Sequence, residues 1–262
     1  MTTTAAQAEL LRSLHVPGTP LIVTNVWDAI TAKIVAGAPG VKALATASHS
    51  VSFAQGVEDG EGLTVDQALA TAALIVSSVE LPVSVDFEKG YAQDAAGVQR
   101  NVERLIGVGA AGLNIEDSIG QSRAPLFDLD TAISRVAAAR AAGEATGVPI
   151  VINARVDALA GGGDWDDAIT RANAYLGAGA DCIFVLGLGD EARVERALRE
   201  IDGKVSVVSN PTSVPLKRLA ELGVSRVSFG PGILGLTLAH LRATATQLTA
   251  LGEYPGELGF SY

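Results

Sequence analysis

The amino-acid sequence predicts an α/β protein, a single (β/α)8 barrel of the TIM type that spans residues 1–262. Eight short apolar runs rich in β-forming residues recur along the chain, and an alanine-rich stretch with helical periodicity follows each one. The runs are apolar almost throughout, as in parallel strands that are buried on both faces. The length of 262 residues is ordinary for such a barrel.

The predicted strands and helices alternate along the whole chain. The strands cover residues 20–25, 42–48, 82–88, 111–117, 149–155, 181–187, 205–210 and 226–230. The helices cover residues 28–36, 64–79, 95–107, 130–146, 165–177, 190–201, 215–222 and 233–251. The alternative, an open dinucleotide-binding sheet, needs a GxGxxG turn after the first strand, where this chain reads NVWDAI. A closed barrel is therefore favoured.

Capping residues support the predicted helices. Thr64 precedes the apolar repeat of the second helix and Asp130 that of the fourth, where a side-chain oxygen accepts free backbone N–H groups. Gly147 and Gly223 follow the fourth and seventh helices, where glycine commonly ends a helix. These signals place the strand-to-helix turns and therefore the loops that would carry a site.

Composition narrows the cellular setting and the partners. Lys and Arg total 19 and Asp and Glu total 29, which gives a net charge of −10. Such a surface repels phosphate backbones, so we expect no nucleic-acid partner. The one cysteine, Cys182, excludes an internal disulfide and suits a reducing compartment. The sequence shows no secretion signal and no apolar run near the roughly 20 residues of a membrane helix, so we expect a cytoplasmic protein without a membrane partner.

Polar residues two positions apart end three neighbouring strands. They are Asp86 and Glu88, Asn114 and Glu116, and Asn153 and Arg155. Residues two apart on an extended strand face the same side, and the active sites of barrels lie at these strand ends. Carboxylates that converge there repel one another unless a cation lies between them. Oxygen ligands without a nearby His or Cys pair favour Mg2+ or Mn2+, and Arg155 is suited to balance charge or to bind a carboxylate.

Simpler interpretations remain open for single residues. Asp28, Asp117 and Asp157 each stand where an acid commonly caps the next helix. His49 follows the second predicted strand and is open to a packing role. Cys182 lies in the run DCIF, where alternation predicts a core position rather than a nucleophile. The three strand-end carboxylates together favour a cation site over three separate caps.

Seven segments between residues 25 and 230 carry a family resemblance. They are NVWDAITAKI, ATASHSVSFAQGVEDGE, VSVDFEKGY, GLNIEDS, VINARVD, AYLGAGADCIFVLG and LGVSRVSFG. The element D-x-[DE]-x-G-Y over residues 86–91, combined with N-x-E-D over residues 114–117, is highly specific. The chain strongly resembles the isocitrate lyase/phosphoenolpyruvate mutase superfamily, and in particular its short mutase-like and decarboxylase-like members.

The resemblance implies a set of site residues. Acids that match Asp59, Asp86, Glu88 and Glu116 would bind Mg2+, which is chelated by the carboxylate and 2-oxo oxygen of the substrate. Residues that match Trp27, Ser48, His49, Ser50, Asp86, Arg155 and Asn210 would bind or surround the substrate, and Arg155 would stabilise the enolate or transferred group. The resemblance also implies a homo-oligomer, a dimer or tetramer, with the long C-terminal helix exchanged between subunits.

The loop after the fourth strand departs from the family pattern. Isocitrate-lyase-like members carry K-[KR]-C-G-H there and phosphonate-forming mutases carry Lys and Asn, whereas this chain reads DSIGQSRAPLFD. The polar candidates for closing over a substrate are Ser118, Gln121, Ser122 and Arg123. Tyr91 is the nearest candidate proton donor, so Arg155, Glu116 and Tyr91 are the predicted catalytic residues.

These residues predict an Mg2+-dependent lyase, with Mn2+ as an alternative ion. It would cleave a C–C bond of a small 2-oxo or 2-hydroxy acid, by decarboxylation or a retro-aldol reaction, because the metal stabilises the enolate that forms. A second hypothesis is P–C bond chemistry, as in phosphoenolpyruvate mutase or phosphonopyruvate hydrolase. A third is a non-catalytic protein that binds a 2-oxo acid.

Overall fold

In the part of the chain that the structure describes, nine parallel strands form a nearly closed barrel, which confirms the predicted α/β fold class. The computed structural model describes residues 3–120, 123–160 and 163–256. The strands are β1 (Leu21–Val23), β2 (Asn25–Val26), β3 (Leu44–Thr46), β4 (Val83–Asp86), β5 (Gly112–Glu116), β6 (Val151–Val156), β7 (Cys182–Val185), β8 (Val205–Val208) and β9 (Arg226–Ser228). The sheet order β1-β9-β8-β7-β6-β5-β4-β3-β2 follows the chain around the ring.

The first predicted strand is divided in two, which explains nine strands where the sequence predicts eight. β1 pairs with β9, and β2 pairs with β3, so the chain changes partner at Thr24. Asn25 bridges this break. Its side-chain amide donates to the carbonyl of Thr46 on one side and its Oδ1 accepts the N–H of Phe229 on the other, at 2.9 and 2.8 Å.

Helices cover the outside of the barrel. In the described ranges they are α1 (Thr4–Ser13), α2 (Ala29–Ala36), α3 (Ser48–Ala54), α4 (Val65–Ser77), α5 (Ala95–Gly107), α6 (Leu129–Thr146), α7 (Trp165–Gly177), α8 (Glu191–Glu200), α9 (Leu216–Leu222) and α10 (Gly232–Thr249). The sequence does not predict α1 or α3. Fully buried Ala8 and Leu11 of α1 pack with residues at the amino ends of the strands, among them Ala111 and Val151, so α1 covers that end of the barrel.

The helix ends confirm two predicted kinds of cap and correct a third. Thr64 caps α4 in a capping box, and Gly147 and Gly223 end α6 and α9 with φ of 68° and 104°. The prediction that Asp130 caps the fourth helix of the alternating pattern is wrong. Asp128 is the cap of α6, because its Oδ1 accepts the N–H of Thr131, and Asp130 lies in the first turn.

The main core lies between the strands and the outer helices, as expected for a parallel sheet with both faces covered. The last helix differs from the others, because within α10 only Leu234 is buried. Leu236 and Leu241 of this helix are 69% and 61% exposed. Exchange of α10 between subunits stays a prediction.

None of the helices in residues 3–120, 123–160 and 163–256 combines the length and the apolar character needed to cross a membrane.

Candidate active site

Two adjoining cavities lie at the carboxyl ends of the strands. The first has a volume of about 530 Å³ and the second of about 680 Å³. They share four lining residues, His49, Asp59, Arg123 and Arg155. Their position agrees with the general rule that barrel enzymes use this end of the fold.

Asp86 ends β4 and lines the first cavity. Its N–H donates to Thr46 Oγ1 at 2.8 Å, and its Oδ2 accepts the N–H of Ser48, the first residue of α3, at 2.9 Å. The amide of Asn114 on the neighbouring strand lies 3.5 Å from Asp86 Oδ1. These contacts hold the carboxylate at the cavity, where it is available to a cation.

The position of Glu88 differs from the one that the sequence predicts. β4 ends at Asp86, and Glu88 lies beyond it with φ of 46°, so strand alternation does not bring the two carboxylates to one side. Glu88 is 1% exposed and is not among the residues that line either cavity. Its carboxylate accepts the hydroxyl of Tyr91 at 2.6 Å and the N–H of Glu61. Burial raises the pKa of Glu88 to about 7.

Glu116 and Arg155 form an ion pair fixed by the strand register. The two residues are register partners on β5 and β6, and Arg155 Nη1 lies 2.6 Å from Glu116 Oε2. Ser118 Oγ donates to the other Glu116 oxygen at 3.0 Å. Burial nevertheless raises the pKa of Glu116 to about 8, although Arg155 opposes this rise. Glu116 and Arg155 both line the second cavity.

Arg155 also binds a second carboxylate that the sequence left as a candidate helix cap. Its Nε and Nη2 donate to the two oxygens of Asp157 at 2.7 and 2.8 Å, and the Asp157 side chain is fully buried. This two-point contact fixes the guanidinium plane. Asp157 was missed as a site residue because it lies two residues after Arg155, and spacing alone does not distinguish a partner from a cap.

Asp117 is a second buried acid with a role other than capping. Its oxygens accept the N–H of Asp157 at 2.9 Å and the hydroxyl of Tyr175 at 2.7 Å, and Arg171 Nη1 lies 3.5 Å away. Burial raises the pKa of Asp117. Tyr175 and Arg171 lie on α7, whose helical spacing gave no signal for this contact. Of the three acids left open as caps, only Asp28 caps a helix, α2.

The remaining predicted residues divide into two groups. Ser48, His49, Asp59 and Asn210 line the first cavity, and His49 Nδ1 lies 3.8 Å from Asp59 Oδ2. Trp27, Ser50 and Tyr91 line neither large cavity. Trp27 packs in an apolar cluster with Val51, Leu63 and Leu234, and Ser50 is fully buried. Their substrate-contact roles stay predictions.

The loop after β5 is described only in part. Gln121 and Ser122 lie outside the described residues. The hydroxyl of Ser118 donates a hydrogen bond to Glu116. Arg123 lines both cavities, and Ser118 lines the second.

The donor chemistry of the cavities fits a divalent cation. Within residues 3–120, 123–160 and 163–256, no three His, Cys, Asp or Glu side chains are grouped closely enough to hold a metal ion. Mg2+ commonly binds through one or two carboxylates and keeps several waters, so such a cluster is not required. Three of the four predicted ligands, Asp59, Asp86 and Glu116, line the cavities. Burial, together with the nearby acids Asp157, Asp86 and Glu88, raises the pKa of Glu116, and a bound cation would favour its charged form.

Comparisons with known proteins identify the family of the chain. The family model described as phosphoenolpyruvate phosphomutase matches residues 11–249. The 2-methylisocitrate lyase of Escherichia coli is 35% identical over 237 residues, covering 82% of this chain and 78% of the enzyme. The oxaloacetate decarboxylase of Pseudomonas fluorescens is 29% identical over 256 residues, covering 94% and 85%.

A solved structure of 2,3-dimethylmalate lyase, described as a member of the PEP mutase/isocitrate lyase superfamily, has the same fold. Its TM-score is 0.85 at 25% sequence identity, and the match covers 100% of this chain and 92% of that one. The chain therefore belongs to the phosphoenolpyruvate phosphomutase family, within the isocitrate lyase/phosphoenolpyruvate mutase superfamily of C–C lyases and mutases.

Proposed function

We propose that the protein is an Mg2+-dependent lyase that cleaves a C–C bond of a small 2-oxo or 2-hydroxy acid. The observation that carries this proposal is the wall of carboxylates, Asp59, Asp86 and Glu116, around cavities that also present Arg155. An anionic substrate would be repelled by this wall without a cation. The names of the two curated relatives, a lyase and a decarboxylase, support C–C cleavage.

Asp86 is the best placed of the proposed metal ligands, with Asp59 and Glu116 as further ligands, directly or through water. When bound, Mg2+ would polarise the 2-oxo group and stabilise the negative charge that develops as the adjacent bond breaks. Mn2+ would suit the same oxygen ligands. The buried carboxylate of Glu88 accepts two hydrogen bonds, so we propose that it supports the site rather than binding the cation directly.

Arg155 would stabilise the anionic substrate during cleavage. Because Asp157 holds its guanidinium through two contacts, Arg155 needs little reorganisation when a substrate enters. Glu116 lies 2.6 Å from this cation. As a metal ligand it would be deprotonated, so proton transfer would need another group. The loop after β5 offers no Cys, Lys or His for this task.

The test is a substrate panel with and without Mg2+. Oxaloacetate and 2-methylisocitrate would be incubated with the protein, and pyruvate release followed with a coupled assay. We expect turnover of one of them that chelation of the metal abolishes. No turnover of either, combined with turnover of phosphonopyruvate, would refute C–C cleavage. Thermal stabilisation by a 2-oxo acid with no turnover of any substrate would indicate a binding protein.

P–C bond chemistry is the second candidate, because the matching family model is that of phosphoenolpyruvate phosphomutase. It would use the same carboxylates and Arg155. A ³¹P spectrum of the protein with phosphonopyruvate and Mg2+ would reveal it, since both rearrangement and hydrolysis change the phosphorus signal.

The proposal also covers the domain organisation, localisation and assembly of the protein. We propose one barrel domain over residues 1–262 and a cytoplasmic homo-oligomer, a dimer or tetramer. The exposed leucines of α10 support association, because apolar side chains on one helix are favourably covered by another copy. Light scattering with size exclusion would measure the mass, and a monomer would exclude this association.

A further inference from the structure

A small joint ties together two loops at the site, the loop of residues 56–62 and the turn of residues 87–92. We call it the Glu61 joint. The N–H of Glu61 donates to Glu88, and the Glu61 Oε1 accepts the N–H of Tyr91 at 2.7 Å. The Lys89 ammonium lies 3.7 Å from Glu61 Oε2 and 3.4 Å from the carbonyl of Gly60. Glu61 therefore contacts the turn through its backbone and through both side-chain oxygens.

Hydrogen bonds from α5 and α6 hold the turn side of the joint in place. Arg135 of α6, which is 2% exposed, donates to the carbonyls of Lys89 and Ala92 at 2.5 and 2.9 Å. Asn101 of α5 donates to the carbonyls of Gly90 and Tyr91 at 3.0 and 2.8 Å. These contacts make the turn a firm support, so Glu61 ties the more exposed loop to a fixed part of the barrel.

The backbone of the joint is strained. Glu61, Glu88 and Tyr91 have φ of 64°, 46° and 52°, a region that residues other than glycine rarely adopt. Three such residues in contact with one another persist only where the surrounding contacts determine the conformation, and such sites are concentrated where function requires a fixed geometry. The joint is thus a built feature of the site.

The loop side of the joint carries Asp59. This residue lies two positions before Glu61 and lines both cavities. Its Oδ2 faces the His49 ring at 3.8 Å. A short loop anchored at Glu61 can place Asp59 in one position, whereas an unanchored loop cannot.

We propose that Glu61 is a positioning residue that sets the affinity of the site for its divalent cation. It would do so by anchoring the 56–62 loop to Tyr91 and so fixing Asp59 at the cavities. This inference rests on the proposed function, because it takes Asp59 as a ligand of the cation, directly or through water. The length of the Glu61 side chain and its hydrogen bond to Tyr91, rather than its charge, would anchor the loop.

Two conservative substitutions separate reach from charge. Glu61→Gln keeps the reach and the oxygen that accepts the Tyr91 N–H but removes the charge. Glu61→Asp keeps the charge but is one methylene too short. Glu61→Ala removes both, and Glu80→Ala, an exposed acid before β4 at the other end of the barrel, controls for the loss of one negative charge.

Calorimetric titration with Mg2+ alone is the first measurement. We expect Glu61→Asp and Glu61→Ala to weaken Mg2+ binding about tenfold or more, as is usual when a supporting contact of a metal site is lost. Glu61→Gln and Glu80→Ala should bind within about twofold of the unmodified protein. Equal binding by all variants, or a larger loss in Glu61→Gln than in Glu61→Asp, overturns the proposal.

Hydrogen exchange of the metal-free protein is the second measurement. Faster exchange at Tyr91 and in the 56–62 loop is expected in Glu61→Asp and not in Glu61→Gln, with melting temperatures within about 3 °C of each other. If the unmodified protein binds no Mg2+, the proposed metal site fails, while exchange still decides whether Glu61 anchors the loop. Unchanged exchange in Glu61→Asp overturns the anchoring.

Discussion

Two parts of the site are held in place by different means. We call Glu116 and Arg155 the strand wall, and Asp59 with its loop the loop wall. Glu116 and Arg155 stand on neighbouring strands, where the ladder of β5 and β6 makes them register partners. Asp59 stands on a loop that the Glu61 joint attaches to the neighbouring turn, and that joint contains three strained residues. The strand wall is therefore fixed by backbone pairing and the loop wall by side chains, so the loop wall is the part that single substitutions can loosen.

The largest expected effect is on the strand wall. Arg155→Met would leave Glu116 and Asp157 buried without their shared cation, so we expect a loss of about 3–5 kcal/mol of unfolding free energy. Turnover should fall about 100- to 1,000-fold, because a fixed charge beside the reacting group is removed. Urea unfolding and the coupled assay measure the two effects.

Arg218→Met is the matched control for that substitution. Arg218 also contacts carboxylates, among them Glu191 at 2.6 Å, but on the exposed surface. We expect no measurable change in unfolding free energy, because solvent screens exposed ion pairs. Equal losses for the two arginines would show that the buried pairing does not distinguish the strand wall.

The pH dependence reports on two buried carboxyls, Glu88 of the Glu61 joint and Glu116 of the strand wall. The folded pKa values of Glu88 and Glu116, about 7 and about 8, lie above those of the unfolded chain. Their contribution to stability is therefore present at low pH and is lost as pH rises through these values. We expect metal-free protein to lose about 2–4 kcal/mol of unfolding free energy from about pH 6 to about pH 9.

Mg2+ should oppose this loss, because cation binding requires deprotonated carboxylates. Urea titrations across the same pH range, with chelator or with Mg2+, test this. A metal-free protein whose stability is constant or rises with pH would contradict the burial of these two carboxyls.

Asp86 lies between the walls, and its removal tests whether the cation depends on it. Asp86→Asn keeps an oxygen that can accept the Ser48 N–H but removes the charge. We expect Mg2+ binding to weaken about 10- to 100-fold with little change in melting temperature of the metal-free protein. Asp66→Asn, an exposed acid on α4, should bind Mg2+ normally. Normal binding by Asp86→Asn would remove Asp86 from the ligand set.

The smallest effect is expected for the hydroxyl of Tyr91. Tyr91→Phe removes its hydrogen bond to Glu88, and Tyr175→Phe removes the equivalent bond to Asp117. Each should cost about 1–2 kcal/mol of unfolding free energy, but only Tyr91→Phe should alter Mg2+ affinity. If Tyr91→Phe instead abolishes turnover with normal Mg2+ binding, Tyr91 is the proton donor that the sequence predicts.

The sequence predicts the strand wall better than the loop wall for a physical reason. Alternation on β5 and β6 places Asn114 with Glu116 and Asn153 with Arg155 on common faces, and the register then pairs them. The same rule fails for Glu88, because the chain leaves the strand at Asp86 and turns through positive φ. Periodicity carries no information about such a turn.

Other features were beyond sequence reasoning because they depend on distant contacts. In the sequence Asp157 is a candidate helix cap, whereas in the structure Arg155 binds both of its oxygens. The sequence predicts no helix over the first residues, because the burial of Leu11 depends on strand ends that are distant along the chain. The alternation of strands and helices, by contrast, depends on local patterns, so the sequence predicts it except for α1, α3 and the division of the first strand.

The break at Thr24 has a consequence for how the chain folds. Leu21 pairs with Arg226, so one seam of the ring joins the two ends of the sequence and can form only after the last strand exists. Contacts of such long sequence separation are slow to form. Until they do, β9 presents an unpaired strand edge, which is a template for association with another chain. Refolding yield should therefore fall with protein concentration, and a chain truncated before β9 should aggregate.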